Sequence, residues 1–197
     1  MRNGILAEGR ASEILDLGDG SVLRRFKKGG DPEREATVMA LARDHGYPVP
    51  EVREVREHGL VLERVDGPAM MSDCRRRPWR MPEHARTLAR LHYELHRIPC
   101  DDGVLLHLDL HPKNVLLAER GPVVIDWANA RGGEAALDPA LTWLILMTSA
   151  GAAGRAFARL FERHVDSRSG VREAVELRAA DRNLTDAERA AVRRLVA

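Results

Sequence analysis

The stretch from Val104 to Ala130 constrains the fold of this chain more than any other part of the sequence. It reads VLLHLDLHPKNVLLAERGPVVIDWANA. Two segments rich in β-forming residues, VLLHLDL and NVLL, precede a turn signal at Arg120-Gly121-Pro122, and a third apolar run then ends on Asp126. The pattern predicts a β-hairpin with polar side chains at both of its ends.

Three side chains in this stretch carry oxygen atoms at a spacing that suits phosphoryl transfer. Asp109 precedes Asn114 by five residues, and Asp126 follows at the end of the next apolar run. In phosphoryl transfer, one acid orients an acceptor hydroxyl while an amide oxygen and a second acid hold Mg²⁺ on the nucleotide phosphates. Oxygen ligands are also what Mg²⁺ prefers. The spacing therefore indicates a kinase-type site.

A second chemistry is open for the same segment. His107, Asp109 and His111 alternate, so on a strand they would share one face and could bind Zn²⁺ in a zinc-dependent hydrolase. That interpretation leaves Asn114 and the second acid-ended strand without a role.

The string His107-Leu108-Asp109-Leu110-His111-Pro112-Lys113-Asn114, followed by Ile125-Asp126-Trp127, resembles the catalytic and metal segments of one family. This is the aminoglycoside phosphotransferase and choline-kinase branch of the protein-kinase-like fold. The resemblance implies an enzyme that moves the γ-phosphoryl group of ATP to a hydroxyl of a small molecule. It implies Asp109 as the catalytic base, and Asn114 and Asp126 as ligands of Mg²⁺.

The first 30 residues alternate short β-like runs with glycines and predict a meander of three strands. In the third run, Val22, Arg24 and Phe26 share one face, and Leu23, Arg25 and Lys27 share the other. In the family, this strand presents a lysine to the nucleotide phosphates. Arg24 would take that place here, with Lys27 as the alternative, although Arg and Lys are not interchangeable.

A helix is predicted to begin at Asp31-Pro32, where Asp31 is a cap and Pro32 suits the first turn. The resemblance aligns Glu35 with the acid that pairs with the strand cation, and an acid in the first turn also complements the helix dipole. Further on, the strand at 59–65 runs into the segment that joins the lobes in the family. There the backbone of Glu63 to Val65 would hydrogen-bond the adenine.

The resemblance implies an α+β, protein-kinase-like fold in two lobes. Residues 1–66 would form a small β-rich N-lobe, and residues 67–197 a mainly helical C-lobe that is shortened relative to larger small-molecule kinases. Apolar residues at helical spacing predict a helix that begins near Met81, and Asp138 is predicted to cap an apolar helix. The family places an Asp at this point, where it supports the catalytic loop through backbone hydrogen bonds.

Charge, hydropathy and cysteine content limit the kinds of partner and the cellular compartment that the sequence predicts. The net charge is +1, from 31 basic and 30 acidic residues, so no strongly basic surface indicates nucleic acid. The longest uncharged run, residues 139–154, is too short and too interrupted by glycine to cross a bilayer. The two cysteines are far apart and no leader sequence is evident, which predicts a cytoplasmic protein.

The missing strand lysine leaves a nucleotide-binding pseudokinase or regulatory module as the alternative to an active enzyme.

Overall fold

The computed structural model describes residues 4–9, 12–27, 29–180 and 184–196. They form an α+β fold with two lobes, one built on an antiparallel sheet and the other mainly helical. The predicted fold class is confirmed. The lobe boundary at residue 66 stays a prediction, and residues 1–3, with which the predicted N-lobe begins, lie outside the described residues.

Five antiparallel strands form the sheet of the smaller lobe, in the order β1-β2-β3-β5-β4. Their bounds are β1 Ile5–Glu8, β2 Ser12–Asp16, β3 Ser21–Phe26, β4 Val52–Arg56 and β5 Gly59–Glu63. The central strand β3 contacts β5 so closely that a Cβ on Gly59 would lie 2.2 Å from the carbonyl oxygen of Arg24. Only glycine fits this approach, and it places Arg24 at the centre of the sheet.

One helix, α1 (Pro32–Asp44), packs against β4 and β5. It begins as the sequence predicts, since the Asp31 carboxylate accepts a hydrogen bond of 2.9 Å from the Arg34 backbone N–H and Pro32 occupies the first turn. Met39 and Ala42 are buried against the sheet. The packing fixes which side of α1 faces the rest of the molecule.

The larger lobe is built on helices. Their bounds are α2 Met70–Arg76, α3 Met81–Leu95, α4 Leu137–Ser149, α5 Gly151–Phe161, α6 Val171–Ala180 and α7 Asp186–Val196. The sequence did not predict α2, because its arginines interrupt the apolar pattern of the buried residues Met70, Met71 and Cys74. Within the described ranges, no helix combines the length and hydropathy that a bilayer span requires.

The core of this lobe lies between α3, α4 and α5. The apolar residues at helical spacing on α3 are fully buried, and Phe157 and Phe161 of α5 are buried with them. Those of α3 are Ala85, Leu88, Leu91 and Leu95. Burying each of these leucine and phenylalanine side chains contributes about 1.5–3 kcal/mol. This core holds α3 and the start of α4 in a fixed relation beneath the short strands.

Short strands form the surface between the sheet and the helices. A three-stranded sheet has the order β10-β7-β6, with β6 Pro99–Cys100, β7 Gly103–Leu106 and β10 Arg131–Gly133, and a separate hairpin pairs β8 Val115–Ala118 with β9 Gly121–Val124. The predicted hairpin is therefore present. The strand predicted over VLLHLDL, however, ends at Leu106, because Leu108 has a φ of +62°, outside the range of a strand.

The segment that joins the lobes is bonded to the hairpin. The Leu117 backbone N–H donates to the Pro68 carbonyl at 2.9 Å, and Ala69 forms a β-bridge with Leu116. Just before them, Gly67 has a φ of +155°, and a Cβ there would lie 2.3 Å from the Leu117 carbonyl oxygen. Glycine is required at this position for the connection to lie against β8.

Candidate active site

The loop after β7, residues 107–114, is held from below by one buried carboxylate. Asp138 accepts hydrogen bonds from the backbone N–H groups of Leu108, at 2.7 Å, and His107, at 3.0 Å. Asp138 lies inside the first turn of α4 and caps no backbone group there, so the predicted cap role is wrong. The support of the loop by backbone hydrogen bonds, which the resemblance implied for this residue, is confirmed. A left-handed backbone at a residue such as Leu108 costs about 1–3 kcal/mol. These two hydrogen bonds help to offset that cost.

The charge on Asp138 is maintained although the residue is fully buried. Burial favours the neutral acid, but the hydrogen bond from His96 holds the pKa of Asp138 well below its ordinary value. The backbone N–H groups of the loop act in the same direction. The carboxylate therefore accepts hydrogen bonds as an anion, which strengthens its hold on the loop.

His107 links this loop to the segment after β9. Its Nε2–H donates to the Ile125 carbonyl at 3.2 Å, its Nδ1 accepts from the Asp109 N–H at 3.3 Å, and its ring packs edge-on against Trp127. Both ring nitrogens thus face backbone groups. The predicted zinc arrangement of His107, Asp109 and His111 required a strand, and the loop does not bring these side chains together in that way.

Asp109 and Asn114 are joined directly. The Asn114 amide donates to the Asp109 carboxylate at 3.0 Å and to the Asp109 carbonyl at 2.9 Å. On the other side of the carboxylate, His111 Nε2 lies 3.4 Å from Asp109 Oδ1, and burial lowers the pKa of His111. These contacts fix the carboxylate of Asp109, while 24% of its side chain stays exposed. The Asn114 amide oxygen remains available to a cation.

Asp126 lies close to this pair through the backbone. It follows β9 with a φ of +70°, and the preceding residue, Ile125, donates its N–H to the Asn114 carbonyl at 3.0 Å. The Asp126 side chain is 45% exposed and is hydrogen-bonded to the Arg24 guanidinium. The three oxygen-bearing residues predicted for the site therefore lie on two adjacent loops.

Arg24 connects the sheet to α1 and to the loop that carries Asp126. One of its terminal nitrogens bonds Glu35 on α1, the other bonds Asp126, and its Nε donates to Ser12 at 3.3 Å. The predicted alternative, Lys27, lies elsewhere: its ammonium group pairs with Glu8 at 2.5 Å on the exposed face. Of the two cations proposed from the sequence, Arg24 is the one beside Asp126.

Glu35 is buried between Arg24 and the segment after Asp126. It accepts a hydrogen bond of 3.1 Å from the Trp127 N–H through the oxygen that also bonds Arg24. Its second oxygen is buried without a hydrogen-bond partner among the described residues. Burial raises the pKa of Glu35, against the opposing charge of Arg24. Its carboxylate thus lies between the sheet and the segment after Asp126.

Arg34 is a residue of this region that the sequence analysis missed. From α1 it donates to the carbonyl oxygens of Ala128, at 3.0 Å, and Ala130. An exposed arginine on a helix gives no local signal of such a contact. Together with Glu35, it bonds α1 directly to the segment that follows Asp126.

In the predicted adenine-binding segment, Glu63 and Val65 differ in the hydrogen bonds that they form. The Glu63 carboxylate accepts hydrogen bonds from the Arg120 guanidinium, one of them at 2.9 Å. The Glu63 backbone N–H donates to the Glu51 carbonyl at 2.8 Å. The N–H and C=O of Val65 form no hydrogen bond with any other described residue. A cavity of about 360 Å³ opens beside this segment, lined by Glu63, Val65 and the β8–β9 turn.

Two family models match the sequence. The RIO domain matches residues 30–133, and the phosphotransferase enzyme family matches residues 94–177. The two matches overlap over the loops that carry Asp109, Asn114 and Asp126. A comparison with curated proteins finds no match.

Solved structures of small-molecule kinases have the same fold. A choline/ethanolamine kinase family protein from Mesorhizobium loti superposes with a TM-score of 0.65 at 16% identity, over 98% of this chain and 87% of that one. The streptomycin–ATP complex of APH(2″)-IIa gives 0.62 at 14% identity, over 98% and 90%. An ethanolamine kinase from Plasmodium vivax gives 0.59 at 13% identity, over 86% and 69%. At these identities the likeness establishes the fold alone.

The RIO-domain model by itself spans more than half of the chain, and the phosphotransferase model extends the match to residue 177. The chain therefore belongs to the protein-kinase-like family of phosphotransferases that includes the RIO domain and the aminoglycoside phosphotransferase and choline kinase-like enzymes.

Proposed function

We propose that the protein transfers the γ-phosphoryl group of ATP, in the presence of Mg²⁺, to a hydroxyl of a small molecule. The observation that carries this proposal is the hydrogen bond of 3.0 Å between the Asn114 amide and the Asp109 carboxylate, with Asp126 on the adjacent loop. In this arrangement Asp109 would orient the acceptor beside two cation ligands, as phosphoryl transfer requires. The kinase fold of the relatives supports it.

Asp109 would act on the acceptor. Its carboxylate is fixed by Asn114 and His111 and is partly exposed, so an acceptor hydroxyl can donate a hydrogen bond to it. It orients the hydroxyl and accepts its proton as the oxygen attacks the phosphorus. Because the transition state is loose, the contribution of the residue is mainly one of positioning.

Asn114 and Asp126 fit a magnesium ion. The Asn114 NH₂ group donates twice to Asp109, so its oxygen is free to bind a cation, and Asp126 is half exposed. Both are hard oxygen ligands. A bound Mg²⁺ would neutralise the charge that develops on the phosphates.

Arg24 and Glu35 would position the phosphates, and Glu63 and Val65 the adenine. Arg24 lies beside Asp126, and its guanidinium is held in place by the buried Glu35. The free backbone N–H and C=O of Val65 are suited to hydrogen bonds with a purine edge, whereas the Glu63 N–H already donates to Glu51 and only its C=O would contribute. ATP accompanies streptomycin in the complex of APH(2″)-IIa that shares this fold.

The acceptor is proposed to be a neutral or weakly charged hydroxylated molecule. After Trp127 the sequence contains nine acidic residues and eleven arginines. Of those acids, Asp138 is buried beneath the loop and Glu162 pairs with Arg168 at 2.8 Å, so neither is available to a polycationic acceptor. A polycationic acceptor would require a more acidic surface. The unpaired state of both cysteines is consistent with a cytoplasmic enzyme.

One observation favours a second candidate, a nucleotide-binding module without transferase activity. Arg24 bonds Asp126, so the residue proposed as a metal ligand already has a cationic partner. An assay of ATP consumption over a panel of small alcohols, amino alcohols and sugars separates the two. Mg²⁺-dependent turnover with at least one acceptor supports the enzyme, whereas a thermal shift with Mg·ATP and no turnover supports the module.

A further inference from the structure

Helices α3 and α4 bring two histidines and an acid together beneath the catalytic loop. His92 and His96 are four residues apart at the end of α3, so they lie on one face, and Asp138 is in the first turn of α4. Asp138 Oδ2 lies 3.7 Å from His92 Nδ1 and 3.3 Å from His96 Nε2. One ligand atom from each of the three side chains lies within 4.8 Å of the other two.

The hydrogen bonds of His92 define which of its nitrogens carries the proton. Thr142 Oγ1 donates its single hydrogen to the Leu110 carbonyl at 2.6 Å and lies 3.2 Å from His92 Nε2. The Thr142 oxygen must therefore accept from His92 Nε2–H. This leaves His92 Nδ1 with a lone pair.

That lone pair is buried and faces an acceptor. His92 is 1% exposed, and its Nδ1 has no hydrogen-bond partner among the described residues. Opposite it, at 3.7 Å, is Asp138 Oδ2, an oxygen that also carries lone pairs. This distance is too long for a hydrogen bond, and two lone pairs that face each other in a buried site are suited to a shared cation.

We propose that His92, His96 and Asp138 form a binding site for a transition-metal ion, best matched by Zn²⁺. Zinc binds imidazole and carboxylate ligands at about 2.0–2.2 Å, which separates the ligand atoms of a tetrahedral site by about 3.3–3.5 Å. The distance of 3.3 Å from His96 Nε2 to Asp138 Oδ2 already has this spacing, and the distance of 3.7 Å from His92 Nδ1 is slightly longer. Asp138 Oδ2 accepts hydrogen bonds from the His107 N–H and from His96 Nε2, and a metal ion would take the place of the second of these.

The third ligand can adjust to the ion. His96 is the C-cap residue of α3, and its side chain is 14% exposed, so its ring can rotate towards the other two ligands without disturbing the helix. Water can reach the remaining coordination position from the same side. The site lies behind the loop that carries Asp109, so the ion would bond α3 to α4 and stabilise the loop rather than contact the acceptor.

The test is metal analysis of full-length, untagged protein purified without chelators, then loaded with Zn²⁺ and dialysed. We expect about one zinc per chain in the wild type, and less than a tenth of that in His92→Asn and His96→Asn. The matched control is His84→Asn, a buried histidine on the same helix that bonds Asp73 at 2.8 Å and should leave the zinc content unchanged. Asp126→Asn should also leave it unchanged, which distinguishes this ion from one at the proposed Mg²⁺ site.

Cobalt substitution of the wild type gives a second measurement that requires no variant to fold. Co²⁺ bound by this set should show the visible absorption of a tetrahedral site, and chelation should abolish that absorption and lower Tm. Wild type without zinc after loading, or with a purely octahedral cobalt spectrum, would overturn the proposal. Equal zinc loss in His84→Asn and His96→Asn, or loss in Asp126→Asn, would also overturn it.

Discussion

Leu108 and Asp126 both have a left-handed backbone, but the protein holds them in different ways. Leu108 is buried, and its N–H is bonded to a carboxylate of the same lobe, Asp138. Asp126 is half exposed, and its side chain is bonded to Arg24 from the sheet of the other lobe. The first conformation therefore depends on the packing of the helical lobe alone. The second depends on where the two lobes lie relative to each other.

This difference separates residues that fix the chemistry from residues that respond to the ligand. The loop with Asp109 is held by backbone hydrogen bonds that a nucleotide does not need to displace. The contacts of Asp126 are ion pairs, which can exchange partners when phosphate and metal arrive. Variants of the loop that carries Asp109 and variants of the contacts of Asp126 should therefore show their effects in different assays.

The largest effect is expected for Asp109→Asn. It keeps the size of the side chain but removes the proton acceptor, so kcat should fall by about 10²–10⁴-fold while ATP affinity changes little. Steady-state kinetics and calorimetry measure the two quantities. Asp101→Asn, in an exposed turn, is the control and should keep wild-type turnover. Retention of a third of the activity by Asp109→Asn would refute its role as the base.

Asp138→Asn should reduce stability most. The substitution turns one acceptor into an NH₂ group that faces a backbone N–H, so the free energy of unfolding of chelator-treated protein should fall by about 3 kcal/mol. Urea unfolding measures this. The control is Asp166→Asn, because Asp166 accepts from the N–H groups of Arg168 and Ser169 in the same manner but is exposed. Equal losses in both variants would show that burial at Asp138 is unimportant.

The pH dependence of the free energy of unfolding should have opposite signs for Asp138, beneath the catalytic loop, and for Glu35, which contacts Arg24. The lowered pKa of Asp138 stabilises the fold above about 3.8, and this contribution is lost as the pH falls through the folded-state pKa. The raised pKa of Glu35 means that the folded protein keeps this proton longer than the unfolded chain. The contribution of Glu35 therefore decreases as the pH rises from 4.5 through its folded-state pKa, by at most about 1.4 kcal/mol per pH unit.

Glu35→Gln should remove this part of the slope in unfolding experiments between pH 4.5 and 7. The control is Glu33→Gln, which changes an exposed acid in the same helical turn and should leave the slope as it is. If both variants give the wild-type curve, the Glu35 carboxyl has an ordinary affinity for its proton in the folded protein.

The smallest effect is expected for Arg24→Lys. A lysine cannot bond Glu35 and Asp126 with a rigid fork, so Asp126 should become easier for Mg²⁺ to reach. Because Asp126 is half exposed, we expect only about a threefold decrease in the Mg²⁺ concentration that gives half-maximal activity. Arg25→Lys is the control on the opposite face, where Arg25 pairs with Glu13. An increase in the Mg²⁺ requirement would contradict the competition between Arg24 and the metal.

The sequence predicted the hairpin and the proximity of Asp109 to Asn114 because these follow from short-range patterns, whereas the fold class was implied by the resemblance to the family. It also favoured Arg24 over Lys27 through the alternation of side chains along β3. It did not predict the backbone conformation of Leu108, since a leucine gives no local signal of a positive φ. Contacts such as Arg34 with Ala128, or Asp138 with His92, join residues that are far apart in the chain. They depend on how the helices pack, which periodicity does not specify.

The connection between the lobes determines how the nucleotide cleft can open. Pro68 and Ala69 are bonded to β8, and Arg120 in the β8–β9 turn bonds Glu63 at the end of β5. Both ends of the connection are thus attached to one hairpin, and the Arg64 N–H also donates to the Gly20 carbonyl at 3.0 Å, so the torsion angles that can change are those of residues 65–67. We therefore expect the smaller lobe to rotate about an axis beside this hairpin. The displacement is then least near Val65 and greatest near Arg24, so a nucleotide would enter and leave with the lobes parting at its phosphate end.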